Sequence, residues 1–91
     1  MNIKNIKILK SDERGIVYEC SKAMFVIRKK GTVTADHVHV NIKETIFLFK
    51  GDIKLTVGSE VEKLKAPIKF EIPKGAYHKI VALSDIEFLK V

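Results

Sequence analysis

Tryptophan and glutamine are absent from this 91-residue chain, cysteine occurs once and proline twice. A lone cysteine, Cys20, excludes a disulfide within the chain, which agrees with a reducing compartment. Its neighbours in Val17-Tyr18-Glu19-Cys20 read as strand, so the thiol is expected to pack as a small side chain rather than to react. Also lacking is any apolar run near the roughly 20 residues that span a bilayer. The opening Met1-Asn2-Ile3-Lys4-Asn5-Ile6-Lys7 alternates and forms no signal-peptide core. A soluble, cytoplasmic protein with no membrane partner is the expectation. The length leaves room for one hydrophobic core, hence one domain over residues 1–91. So small a β core would be helped by a bound metal ion or a second copy of the chain.

Arginine is scarce too, confined to Arg14 and Arg28, so the net charge of +6 comes almost entirely from lysine. The lysines are spread along the chain among glutamates, with no aromatic-basic stripe, which argues against a nucleic-acid partner. Abundant Lys, Glu and Ile with no Gln is a bias found in proteins of thermophiles, and it accounts for the charge without a polyanion. One consequence remains: a basic protein attracts anionic small molecules.

No segment offers three turns of amphipathic helix. The dominant period is two. Ile68-Lys69-Phe70-Glu71-Ile72 alternates strictly, and Ile53-Lys54-Leu55-Thr56-Val57 repeats the pattern. Met24 to Lys29, Thr45 to Lys50, His78 to Leu83 and Ile86 to Val91 are further β-rich runs. Between them stand Lys30-Gly31, Lys50-Gly51-Asp52, Gly58-Ser59, Pro67, Pro73-Lys74-Gly75 and Ser84-Asp85, all turn formers. About seven to nine short strands at such spacing predict an all-β sandwich or barrel.

All three histidines fall in two short segments. In Asp36-His37-Val38-His39-Val40 the two-residue separation puts both imidazoles on one face of a strand. Glu44 follows after a turn and can return in the next antiparallel strand beside His39. His78 starts another strand after a Pro-x-Gly turn, and a barrel could carry it to the same point. Each residue alone has an ordinary reading as a hydrogen-bonded or solvated side chain. Together, imidazoles and a carboxylate facing an apolar interior are costly without a cation to share, so the four read as ligands of one metal ion.

At these residues the chain resembles the cupin superfamily. Gly31-x5-His37-x-His39-x4-Glu44-x6-Gly51 matches the first cupin motif, residues 31–51, at each anchoring position. Pro73, Gly75 and His78 meet the second motif, residues 67–82, which departs at its ends: Pro67 replaces a usual Gly and Ala82 a usual Asn. The resemblance covers roughly Met24 to Val91. It implies a jelly-roll-like, double-stranded β-helix barrel holding one divalent transition metal per chain on His37, His39, Glu44 and His78. Such N and O ligands suit Fe, Mn, Ni, Co, Cu or Zn without choosing among them.

If Glu44 faces inward, so do Ile46 and Leu48, leaving Thr45, Phe47 and Phe49 outside. With Val81 and Leu83 these phenylalanines would form an apolar patch, to be covered by a second copy of the chain or by the N-terminal Ile3, Ile6 and Ile8. Phe25, Ile27, Leu55, Phe70, Ile72, Ile80 and Phe88 are expected with Ile46 and Leu48 to wall a substrate pocket. Tyr77, beside His78, packs at the barrel mouth or supplies a proton or hydrogen bond. The expected function is a metal-dependent enzyme on a small oxygen-bearing, anionic or sugar-like substrate, of dioxygenase or sugar isomerase or epimerase type. The alternative is a non-catalytic, metal-dependent small-ligand sensor or interaction module. The sugar reading draws on Asp12-Glu13-Arg14-Gly15 and Lys30 to His39, which look somewhat like small cupins acting on nucleotide-linked sugars; those tend to carry Arg where Thr34 stands here.

Overall fold

The computed structural model describes residues 1–38 and 43–91, with Asp36 and His37 described in their backbone only. Its strands are β1 (Ile8–Asp12), β2 (Gly15–Cys20), β3 (Ala23–Arg28), β4 (Val33–Val38), β5 (Glu44–Lys50), β6 (Asp52–Val57), β7 (Glu60–Lys65), β8 (Ile68–Ile72), β9 (Tyr77–Ala82) and β10 (Ile86–Lys90). All described pairings are antiparallel. One sheet has the order β1-β2-β3-β10-β5-β8 and the other β4-β9-β6-β7. Among the described residues no helix is long and apolar enough to cross a membrane.

Ten strands exceed the seven to nine expected, and β1 and β7 explain the difference. Both are edge strands whose side chains are nearly all exposed. Their backbone ladders to β2 and β6 hold them, and a strand that buries neither face leaves no hydrophobic alternation in the sequence.

The core lies between the sheets. Ile46, Leu48, Ile72, Ile86 and Phe88 from the six-stranded sheet meet Ile53, Leu55, Ile80 and Ala82 from the other. The alternation of Ile68–Ile72 sends Ile72 into this core and leaves Lys69 and Glu71 exposed. Gly51, at φ 92°, turns the chain from one sheet into the other, and a Cβ there would strike the Asp85 carbonyl.

β3 corrects the sequence reading. Val26 and Arg28 are its buried residues, paired with Phe88 and Ile86. Phe25 and Ile27 therefore stand on the opposite face and do not wall an interior pocket. There Tyr18, Phe25, Leu89, Phe47 and Lys69 are successive register partners across five strands. Lys69 Nζ lies 5.5 Å from the Phe47 ring centroid. Val81 belongs to the other sheet, so it cannot extend the Phe47 and Phe49 patch as expected. Nor do Ile3, Ile6 and Ile8 cover that patch: they are exposed at the β1 edge.

β4 is irregular. Thr34 pairs with Ile80 and His37 with His78, three steps on one strand against two on the other. Ala35, at φ 58°, supplies the left-handed turn of this bulge. The extra residue brings the His37 backbone to the register position opposite His78.

Candidate metal centre

Glu44 opens β5 and is 4% exposed; His78, on β9 of the facing sheet, is fully buried. Alternation from Glu44 through Ile46 to Leu48, and from His78 through Ile80 to Ala82, aims both groups into the interior. They meet there, with His78 Nε2 3.6 Å from Glu44 Oε2. His78 Nδ1 donates to the Ala76 carbonyl at 3.3 Å. A carbonyl only accepts, so Nδ1 carries a proton and it is Nε2 that faces the carboxylate. An imidazole nitrogen and a carboxylate brought together in a dry interior are donor types that a divalent cation takes, and such a second-contact hydrogen bond is the usual support of a metal-binding imidazole. The other carboxylate oxygen, Oε1, lies 3.7 Å from Lys90 Nζ, a neighbour the sequence reading missed.

His37 stands opposite His78 in the β4 ladder. His39 lies outside the described residues. Among the described side chains no group of three or more His, Cys, Asp or Glu converges on a common point, so the described part of the centre is the Glu44 and His78 pair. Tyr77 is 37% exposed and alternates with His78, which places its ring on the outer face of the sheet, away from this pair.

Beside Glu44 runs a cavity of about 120 Å³ between the sheets, which His78 does not line. Of the expected wall residues, Ile46, Ile80 and Phe88 line it. Leu48, Leu55 and Ile72 are packed into the core, and Phe70 lies partly buried against it. The cavity reaches Glu44, Lys90 and Met24 at one end, and these three also border an open cleft of about 480 Å³. Arg28 and Thr34 line the cavity as well. Arg28 is 7% exposed, and Nη1 donates to the Ile27 carbonyl at 3.3 Å. Its Nε, like Thr34 Oγ1, is buried without a hydrogen-bond partner among the described residues. Burial, and secondarily the charge of Arg14, pushes the Arg28 guanidinium below its usual pKa. Counting by twos back from Arg28 through Val26 to Met24, and from Lys90 through Phe88 to Ile86, would have joined these cations to the interior face.

No family model and no curated protein matches the sequence. Solved structures match the fold. The capsular polysaccharide assembling protein CapF of Staphylococcus aureus is similar with a TM-score of 0.82 at 18% identity, over 97% of this chain and 28% of that one. This chain thus spans little more than a quarter of CapF. An RmlC-like cupin of Shewanella frigidimarina gives 0.69 at 19% identity, covering 75% of this chain and 60% of its own. A predicted oxalate decarboxylase of Thermotoga maritima gives 0.75 at 18% identity, covering 93% and 88%. The chain has a cupin-type fold, all-β with its two sheets face to face.

Proposed function

We propose that this chain is a metal-dependent cupin enzyme acting on a small, oxygen-bearing, anionic substrate. The observation that carries the reading is the meeting of buried Glu44 and His78 at 3.6 Å, with Glu44 lining a cavity between the sheets. His37, His39, Glu44 and His78 would hold one divalent transition metal, which supplies a Lewis-acid centre when bound. Around it the chain's own residues have definite tasks. Ala76 fixes the His78 ring, Lys90 holds one Glu44 oxygen and offsets its charge, and Ile46, Ile80 and Phe88 exclude water. One core serves both motif segments, in keeping with one domain over residues 1–91. The test is elemental analysis of purified wild type, His78→Ala and Glu44→Gln. About one Fe, Mn, Ni, Co, Cu or Zn per wild-type chain, lost in both variants, is expected. Wild type that stays metal-free after incubation with these ions would overturn the reading.

The row from Tyr18 to Phe47, with Phe49 58% exposed at its border, supports a homodimer packed through the outer face of the six-stranded sheet. Light scattering at micromolar concentration should give twice the chain mass, and Phe47→Lys should halve it. A monomeric wild type removes the dimer.

A further inference from the structure

Arg28 is a buried cation that the metal reading does not use. No salt bridge to it occurs among the described residues, and one hydrogen bond to the Ile27 carbonyl leaves most of its five N–H donors unspent. A guanidinium out of water without a carboxylate is costly, and a chain keeps such a group where a ligand completes it. Thr34, from the facing sheet, brings a second unspent polar atom to the same cavity. With Lys90 and Glu44 there as well, the described charges lining the space sum to positive.

The strand register orders these groups. Met24 and Lys90 pair with each other at the cleft end, Val26 and Phe88 come next, and Arg28 pairs with Ile86 beyond them. Four residues of strand separate Arg28 from Met24, about 13 Å along β3. One end of the cavity therefore carries Glu44 beside His78, and the other carries Arg28. A volume of about 120 Å³ holds roughly four water-sized groups at about 30 Å³ each. That is room for a carboxylate of about two to four carbons and too little for a sugar nucleotide.

We infer that Arg28 and Thr34 form an anion anchor, which grips the carboxylate of a small oxygen-bearing acid at the end of the cavity opposite Glu44. The planar guanidinium offers the forked donor pair that a carboxylate accepts, and the Thr34 hydroxyl adds a third hydrogen bond. The guanidinium reaches this cavity from β3, in the sheet that faces Thr34. This assignment deepens the proposed enzyme reading and rests on it only for what happens at the far end.

The probes are glycolate and acetate, with acetamide as the uncharged match, titrated by calorimetry into chelator-treated protein and into protein loaded with metal. Wild type should take up both acids and reject acetamide even without metal. Arg28→Met should weaken acid binding by at least tenfold and Thr34→Val by several-fold, with metal content unchanged in both. Equal binding of acids and acetamide by wild type, or equal acid binding by wild type and both variants, would overturn the anchor. So would no acid binding in either metal state. The wild-type comparison of acetate with acetamide decides the matter even if Arg28→Met fails to fold. Failure of the metal reading shows separately, as a metal-free wild type that still prefers acetate to acetamide.

Discussion

Arg14, in the partly exposed turn between β1 and β2, lies 2.9 Å from Asp12. Arg28, one strand further on and turned into the interior, forms no salt bridge among the described residues and feels Asp12 only at longer range. A chain of this charge has glutamates enough to pair both. The pairing instead falls where water would have solvated the guanidinium anyway, and where an ion pair contributes little. Inside, where a partner would matter most, donors stand ready. The contrast separates a turn that is merely tidied by its charges from a cavity whose charge is kept for a visitor.

Gly15 joins the two regions, since it follows Arg14 in sequence and pairs with Arg28 in the ladder. Its φ is 144°, and a Cβ there would collide with the Ile27 carbonyl, the acceptor that Arg28 uses. Gly15→Val must push β2 away from β3 and should cost about 3 kcal/mol or more in urea denaturation. A loss under about 1 kcal/mol would mean that β2 and β3 are not held so closely, and the setting of Arg28 would need redrawing.

Next in size is the stability of the two arginine variants. Replacing a buried, unpaired charge with an apolar side chain of similar length removes a desolvation penalty, so Arg28→Met should leave stability unchanged or raise it by about 1 kcal/mol. Arg14→Ala should change it by less than about 1 kcal/mol. A drop of about 2 kcal/mol or more for Arg28→Met would assign the guanidinium to the scaffold and dissolve the contrast.

The sequence speaks unevenly about these regions, for physical reasons. In β8 a wet face opposes a dry one, so alternation identifies Ile72 as interior, whereas Ile46 to Phe49 in β5 is apolar on both faces and only parity from Glu44 places Ile46 and Leu48 inside. The run Ala23–Arg28 is apolar on both faces, because Phe25 and Ile27 are half-buried on the outer side while Val26 is buried on the inner. No pattern in it says which set faces the cavity, and Arg28 goes unnoticed as a strand end. β4 hides its geometry differently. Its bulge turns on Ala35, whose identity carries no hint of a positive φ, where a glycine would have given one. Counting by twos from Thr34 would then reach Asp36, whereas the ladder sets His37 opposite His78. The resemblance to the two cupin motifs pointed to Glu44 and His78, which the fold brings within 3.6 Å. Lys90 and Arg28 lie outside both motifs, and their roles follow from register alone.

The smallest expected effect concerns the exposed turn. Hydrogen bonds from the Arg14 side chain, then from its backbone N–H, favour the charged form of Asp12 and hold its pKa at about 2, below the ordinary aspartate value of 3.8. A carboxylate depressed in the folded state stabilises the fold above its unfolded pKa, and that contribution fades as pH falls from about 3.8 through about 2. Because the pair sits at the partly exposed surface, where water screens it, the stability change should be slight, and the titration itself is the better measure. Carbon-detected NMR of the Asp12 carboxyl should give a midpoint near 2 in wild type and one near 3.8 in Arg14→Ala. Arg28 adds no such slope in this range, since a guanidinium stays protonated there whatever its burial. A wild-type midpoint already near 3.8 would show that Arg14 does not hold Asp12 in solution, leaving both arginines without a carboxylate and the buried one no longer the exception.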